Sequence, residues 1–174
     1  MSEYLAIDWE RRSVRVVSAN ISRGQIIVRK AFTASWPATA DPSENPQQAG
    51  QWIAQLLKQH GIGCPQVHIV LPREDTVVRQ LDLPQVSSDE VADIVRLQIE
   101  SRTATSLDEL EFDFLPYPQP AQAESLRVLV FTIPQSRKTT ILQALQSAGL
   151  EPVIIAVSPV TTAQLVLEQT RLKR

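Results

Sequence analysis

His60, Cys64 and His68 recur at four-residue intervals, and they are the first residues to test for metal chemistry. Zinc needs four converging ligands in a structural site, or three plus water in a catalytic one. No fourth ligand is evident, and a turn from Gly61 to Gly63 separates His60 from the apolar run that holds His68. The three side chains need not converge, so the reading is no metal, with His68 a buried, hydrogen-bonded histidine. Nucleophilic catalysis has no better footing. Cys64 lies between Gly63 and Pro65, and no G-x-S-x-G elbow occurs. The phosphate loops G-x-x-x-x-G-K-[ST] and G-x-G-x-x-G are absent too. The acidic pairs Asp89/Glu90 and Asp108/Glu109 stand at a helix start and a strand start, where dipole complementarity and solvation account for them. One stretch keeps its chemical interest: Asp8-Trp9-Glu10-Arg11-Arg12-Ser13-Val14-Arg15, an acid closing an apolar strand and followed by a tight hairpin. Ordinary turn chemistry accounts for Asp8 and Ser13.

The elements that must position these residues are legible from periodicity. Tyr4 to Asp8, Ser13 to Ile21 and Gln25 to Ser35 read as three antiparallel strands, with Ser22-Arg23-Gly24 as a hairpin turn. Pro37 to Pro46 reads as loop, and Gln47 to His60 as a helix with Ala49, Trp52, Ile53, Leu56 and Leu57 on one stripe. Val67 to Leu71 and Val153 to Val157 are apolar runs, expected as strands covered on both faces, the second of them central. Between them, Val77 to Leu83 alternates, Ser87 and Glu90 offer a capping box, and a helix runs to Arg102 with Val91, Ile94, Val95 and Ile99 inward. Strands follow at Leu110 to Phe114 and Leu126 to Ile133, then helices from Arg137 to Ala148 and from Pro159 to Leu172. The last helix carries a broad apolar surface of Val160, Ala163, Val166 and Leu167. The expected fold is α/β: a lobe built on a five-stranded mixed sheet from residues 1–75 and 134–174, with residues 76–133 as an inserted βαββ subdomain.

Composition limits the function classes. The 174 residues carry 17 Lys and Arg against 19 Asp and Glu, a net charge of -2, and the pI points away from a nucleic-acid reader. Arg11, Arg12, Arg15, Arg23, Arg29 and Lys30 make the first hairpin locally basic and read as solvated strand edges. The single cysteine excludes an internal disulfide and favours a reducing compartment. The N-terminus Met1-Ser2-Glu3-Tyr4 lacks a secretory pattern, and no apolar run approaches the ~20 residues that span a bilayer. The expectation is a cytoplasmic protein that reaches a membrane only through a partner.

Several stretches in chain order carry a family resemblance: Leu5-Ala6-Ile7-Asp8, Ser13-Val14-Arg15-Val16-Val17, Ile69-Val70-Leu71-Pro72, Val77 to Pro84, Leu107-Asp108-Glu109-Leu110 and Ala148 to Pro152. With these, the chain resembles the N-terminal half of the type IV pilus assembly protein PilM family and, more distantly, FtsA. The resemblance implies an actin-like (ribonuclease H-like) first lobe, with the insert as an SHS2-like subdomain. It also implies a scaffold role, in which a groove between the main sheet and the insert receives the N-terminal cytoplasmic tail of a PilN-like inner-membrane protein. Arg73, Arg79 and Tyr117, at the crossovers into and out of the insert, are the candidates for that groove. Actin-like nucleotide binders grip phosphate with Asp-x-Gly-x-x-x-x-Lys, which aligns on Asp8, Glu10 and Arg15 here. Glu10 in place of glycine adds bulk and a like charge beside phosphate oxygens, so Asp8, Ser13 and Arg15 form a degenerate phosphate turn. The phosphate and adenosine motifs of a second lobe are absent, so no cofactor is expected in this chain, ATP and magnesium being possible only with that lobe. Arg102-Thr103-Ala104-Thr105-Ser106 replaces an apolar tip common in the family. Two rivals stand beside this reading. One is half of an actin-like ATPase or sugar-kinase-like enzyme. The other is the cytoplasmic domain of a GspL-type secretion protein that contacts a secretion ATPase.

Overall fold

Alternation of apolar and polar residues builds the first sheet. In the computed structural model, which describes residues 2–63, 66–103, 105–117 and 124–171, β1 (Ser2–Trp9), β2 (Ser13–Ser22) and β3 (Gln25–Ser35) form an antiparallel meander. Leu5, Ile7 and Trp9 on one face of β1 are wholly buried, whereas Tyr4, Ala6 and Asp8 on the other are half-buried. The β2–β3 turn is Arg23-Gly24, both at positive φ (50° and 76°), which matches the right-handed twist of the flanking strands. Helix α1 (Pro46–Gln59) opens on a proline, whose missing N–H costs nothing there, and ends where Gly61 takes φ 60°. β4 (Gln66–Leu71) then lies parallel to β1.

The chain divides into two compact units, Met1–Arg73 with Thr139–Arg174, and Glu74–Lys138. The second unit holds β5 (Val77–Pro84), α2 (Ser88–Arg102), β6 (Leu110–Pro116) and β7 (Ser125–Pro134). Its three strands form an antiparallel sheet in the order β5-β7-β6. Leu81, Leu83, Val128 and Val130 on one sheet face pack against Val91, Val95 and Ile99 of α2, a core of its own. The Ser87–Glu90 capping box is present, the Ser87 amide donating to Glu90 Oε2 at 3.1 Å. This unit runs beyond residues 76–133 at both ends. Two ion pairs tie the start of the next helix to it, Arg137 to Asp75 at 2.7 Å and Lys138 to Glu111 at 2.8 Å.

That helix, α3 (Gln135–Ser147), leads back into the first unit, followed by β8 (Pro152–Val157) and α4 (Ser158–Arg171). The first sheet has the order β3-β2-β1-β4-β8, three antiparallel strands and then two parallel ones, the actin-like arrangement. α1 and α3 cross backbone to backbone. A Cβ on Gly50 would stand 2.0 Å from the Ala144 carbonyl oxygen, so only glycine fits. One expectation fails here. β8 is an edge strand, not a central one, and Val153 and Ile154 are 59% and 48% exposed. The apolar surface of α4 is likewise in water, with Leu165, Val166 and Leu167 all more than half exposed.

Candidate functional site: the first hairpin turn

The β1–β2 turn is closed by the Glu10 amide, which donates to the Ser13 carbonyl at 3.0 Å. Pairing of Asp8 with Arg15 across the hairpin puts both side chains on the less covered sheet face. Glu10 supplies a second carboxylate to Arg15. Its Oε1 pairs with an Arg15 guanidinium nitrogen at 2.6 Å, and its Oε2 accepts from Ser13 Oγ at 2.9 Å. Arg15 reaches Asp8 Oδ2 as well, at 3.3 Å. Ser13 and Arg15, two of the residues expected to form a degenerate phosphate turn, are thus both engaged by a carboxylate of the same chain. Burial first, and then the Glu10 charge, push the Asp8 carboxyl above its ordinary value, against the pull of Arg15.

A tryptophan stack holds this turn. Trp36, just past β3, donates its indole N–H to the Glu10 carbonyl and its amide to the Arg12 carbonyl, both at 3.0 Å. Its ring lies 5.0 Å from Trp9 on one side and 5.0 Å from Trp52 of α1 on the other. The Trp9 indole nitrogen is buried without a hydrogen-bond partner among the described residues. Nothing in the sequence pairs positions 9, 36 and 52. Only the strand order, which sets Trp9 facing α1, brings them together.

The histidine series does not converge. His60 stacks on Phe32 with ring centroids 3.7 Å apart, on the face that Phe32 shares with its partner Val16. His68 meets Tyr4 edge-on at 5.8 Å, on the opposite face. It is half-buried against a ring, a correction to the hydrogen-bonded core histidine expected of it. Cys64 lies outside the described residues. Among the described residues, no group of three His, Cys, Asp or Glu can hold a metal.

The partner-groove candidates are distributed over both units. Arg73 is exposed in the short turn after β4, at the end of the first unit's N-terminal segment. Arg79, on β5, donates to the Arg102 carbonyl at 3.2 Å and lines a cleft with Leu81, Gln98, Ile99, Arg102 and Thr103. Tyr117 follows β6 and is 41% exposed, its amide bonded to the Arg127 carbonyl at 2.8 Å. Since β7 lies between β5 and β6, Arg79 and Tyr117 sit on opposite edges of the small sheet.

A five-stranded mixed sheet of this order, carrying a βαββ insert, defines an actin-like lobe. The chain matches the family described as type IV pilus assembly protein PilM over residues 6–171, and it belongs to that family. Among solved structures it is similar to the PilM-PilN type IV pilus biogenesis complex, with a TM-score of 0.74 and 20% identity, covering 90% of this chain and 47% of that one. It is also similar to the cytoplasmic domain of EpsL, an inner membrane component of the type II secretion system of Vibrio cholerae. There the TM-score is 0.60 and the identity 12%, over 89% of this chain and 57% of that one. The chain therefore spans about half the length of these structures. No curated protein matches it. No helix among the described residues is long and apolar enough to cross a membrane.

Proposed function

We propose that this chain is a non-catalytic scaffold lobe of a type IV pilus or related secretion assembly, which captures the N-terminal cytoplasmic tail of a PilN-like inner-membrane protein. One observation carries the non-catalytic part. The Glu10 carboxylate takes up both Ser13 Oγ and Arg15, the groups a nucleotide phosphate would need. A triphosphate entering there meets a fixed negative charge and finds its donors occupied. The partner class is supported by the likeness to a PilM-PilN complex. An extended tail on such a lobe gains main-chain hydrogen bonds and pockets for alternate side chains, and Arg79, in its cleft with Leu81, Gln98 and Ile99, is the contact to test.

Calorimetric titration with a synthetic tail of the membrane partner tests this. The wild-type chain binds the tail and gives no heat with ATP·Mg²⁺, and Arg79→Glu weakens the tail at least about tenfold. Micromolar ATP binding sinks the non-catalytic assignment, and an unchanged Arg79→Glu affinity sinks the tail surface. The likeness to the cytoplasmic domain of EpsL supports a second reading, the cytoplasmic domain of a GspL-type secretion protein in place of a pilus lobe. On that reading the partner is a secretion ATPase, and binding of that ATPase but not of the tail distinguishes it.

A further inference from the structure

Strand β3 closes one side of the five-stranded sheet, and every residue from Gln25 to Ala31 is exposed. Its first half is apolar all the same. Ile26, Ile27 and Val28 are 71%, 44% and 58% exposed, and Ile21 beside them on β2 is 41% exposed. Consecutive residues of a strand point to opposite faces, so this is apolar surface on both sides of one edge. Natural sheets blunt long edges with short strands, inward charges or proline. β3 has eleven residues and no proline, with a single bulge where Arg29 slips between the pairs Ser18–Lys30 and Ala19–Val28.

Charge identifies what fits there. From Ser13 to Ser35 the sequence holds Arg15, Arg23, Arg29 and Lys30 and not one acid, in a chain whose net charge is -2. Arg15 is taken by Asp8 and Glu10, but no carboxylate among the described residues pairs with Arg23, Arg29 or Lys30. A second copy docking edge to edge would set these cations against one another. An anionic bilayer complements the charge but cannot hydrogen-bond a strand edge within its hydrocarbon. An acidic extended peptide satisfies charge and backbone together.

We propose that β3 is a docking edge that takes an extended, acidic segment of a partner protein as a sixth strand, its carboxylates on Arg23, Arg29 and Lys30 and its apolar residues beside Ile26 to Val28. This surface stands apart from the tail-binding reading and does not rest on it. The test is fluorescence anisotropy of the chain with a labelled ten-residue peptide alternating Glu and Val, against one alternating Lys and Val. The Glu-Val peptide binds saturably and slows amide exchange over Gln25–Lys30, and the Lys-Val peptide does not bind. Arg29→Glu with Lys30→Glu reverses that preference, with a loss of about tenfold or more for Glu-Val. Ile26→Thr, which keeps strand propensity and charge, weakens Glu-Val binding and serves if the double variant misfolds. Equal affinity for both peptides, or none for either, overturns the proposal. So does binding to phosphatidylglycerol vesicles without peptide binding, or a concentration-dependent dimer that the charge reversal abolishes.

Discussion

Replacing Glu10 by glycine gives the first turn the residue that a phosphate grip requires, and the outcome can be estimated from the contacts it removes. The Glu10–Arg15 pair is short, at 2.6 Å, but the two side chains are 31% and 57% exposed, so solvent screens it. A pair of that exposure contributes about 0.5–1 kcal/mol. The Ser13 hydroxyl bond to the carboxylate, part-buried at 2.9 Å, adds about 1 kcal/mol. Glycine's extra backbone freedom costs about 0.5–1 kcal/mol more. Glu10→Gly therefore loses about 2–3 kcal/mol, a fall in Tm of about 5–10 °C for a chain of this size. Glu10→Gln, which keeps an oxygen for Ser13, loses only the ionic part. The informative measurement is the response to inorganic phosphate. With Arg15 and Ser13 released, the glycine variant binds phosphate where the wild-type turn does not. If its Kd is about 5 mM, 50 mM phosphate returns about 1.4 kcal/mol of stability. Differential scanning calorimetry in phosphate, against chloride at equal ionic strength, reads this directly. Equal phosphate response in the wild type and in Glu10→Gly refutes the idea that Glu10 occupies the anion position.

Two further expectations follow from the same unit. The Asp8 carboxyl is raised above its ordinary value of 3.8 by burial and by Glu10, so its stabilising contribution is present in acid and lost as pH rises through the folded-state value. Asp8→Asn therefore raises Tm at pH 7 and leaves it unchanged near pH 2.5; a lower Tm at pH 7 means the Arg15 contact outweighs burial. Gly50→Ala forces α1 and α3 apart against the Ala144 carbonyl, and thermal unfolding should show a loss of about 2 kcal/mol or more.

Local signals in the sequence located nearly every element. The Ser87–Glu90 box, the Arg23-Gly24 turn and the alternation along Leu110, Phe112 and Phe114 each depend on neighbours a few residues away, so they survive without tertiary knowledge. Val153 to Val157 was the miss. An apolar run says what a strand prefers to touch, not whether anything lies beyond it, and β8 has β4 on one side only. The turn was half legible. Glu10 stood out as an obstacle to phosphate, but the sequence left Arg15 and Ser13 as available grips, and only the hairpin register shows both already taken. The Trp9–Trp36–Trp52 stack was invisible, since it needs β1, the segment after β3 and α1 to meet.

That stack has a practical corollary for anyone watching this molecule unfold. All three tryptophans fall within the unit of Met1–Arg73 and Thr139–Arg174, and Glu74–Lys138 has none. Indole emission during a melt is therefore blind to the βαββ portion, whereas far-ultraviolet dichroism samples both. A gap between the two curves measures how far one half can come apart while its neighbour stays folded.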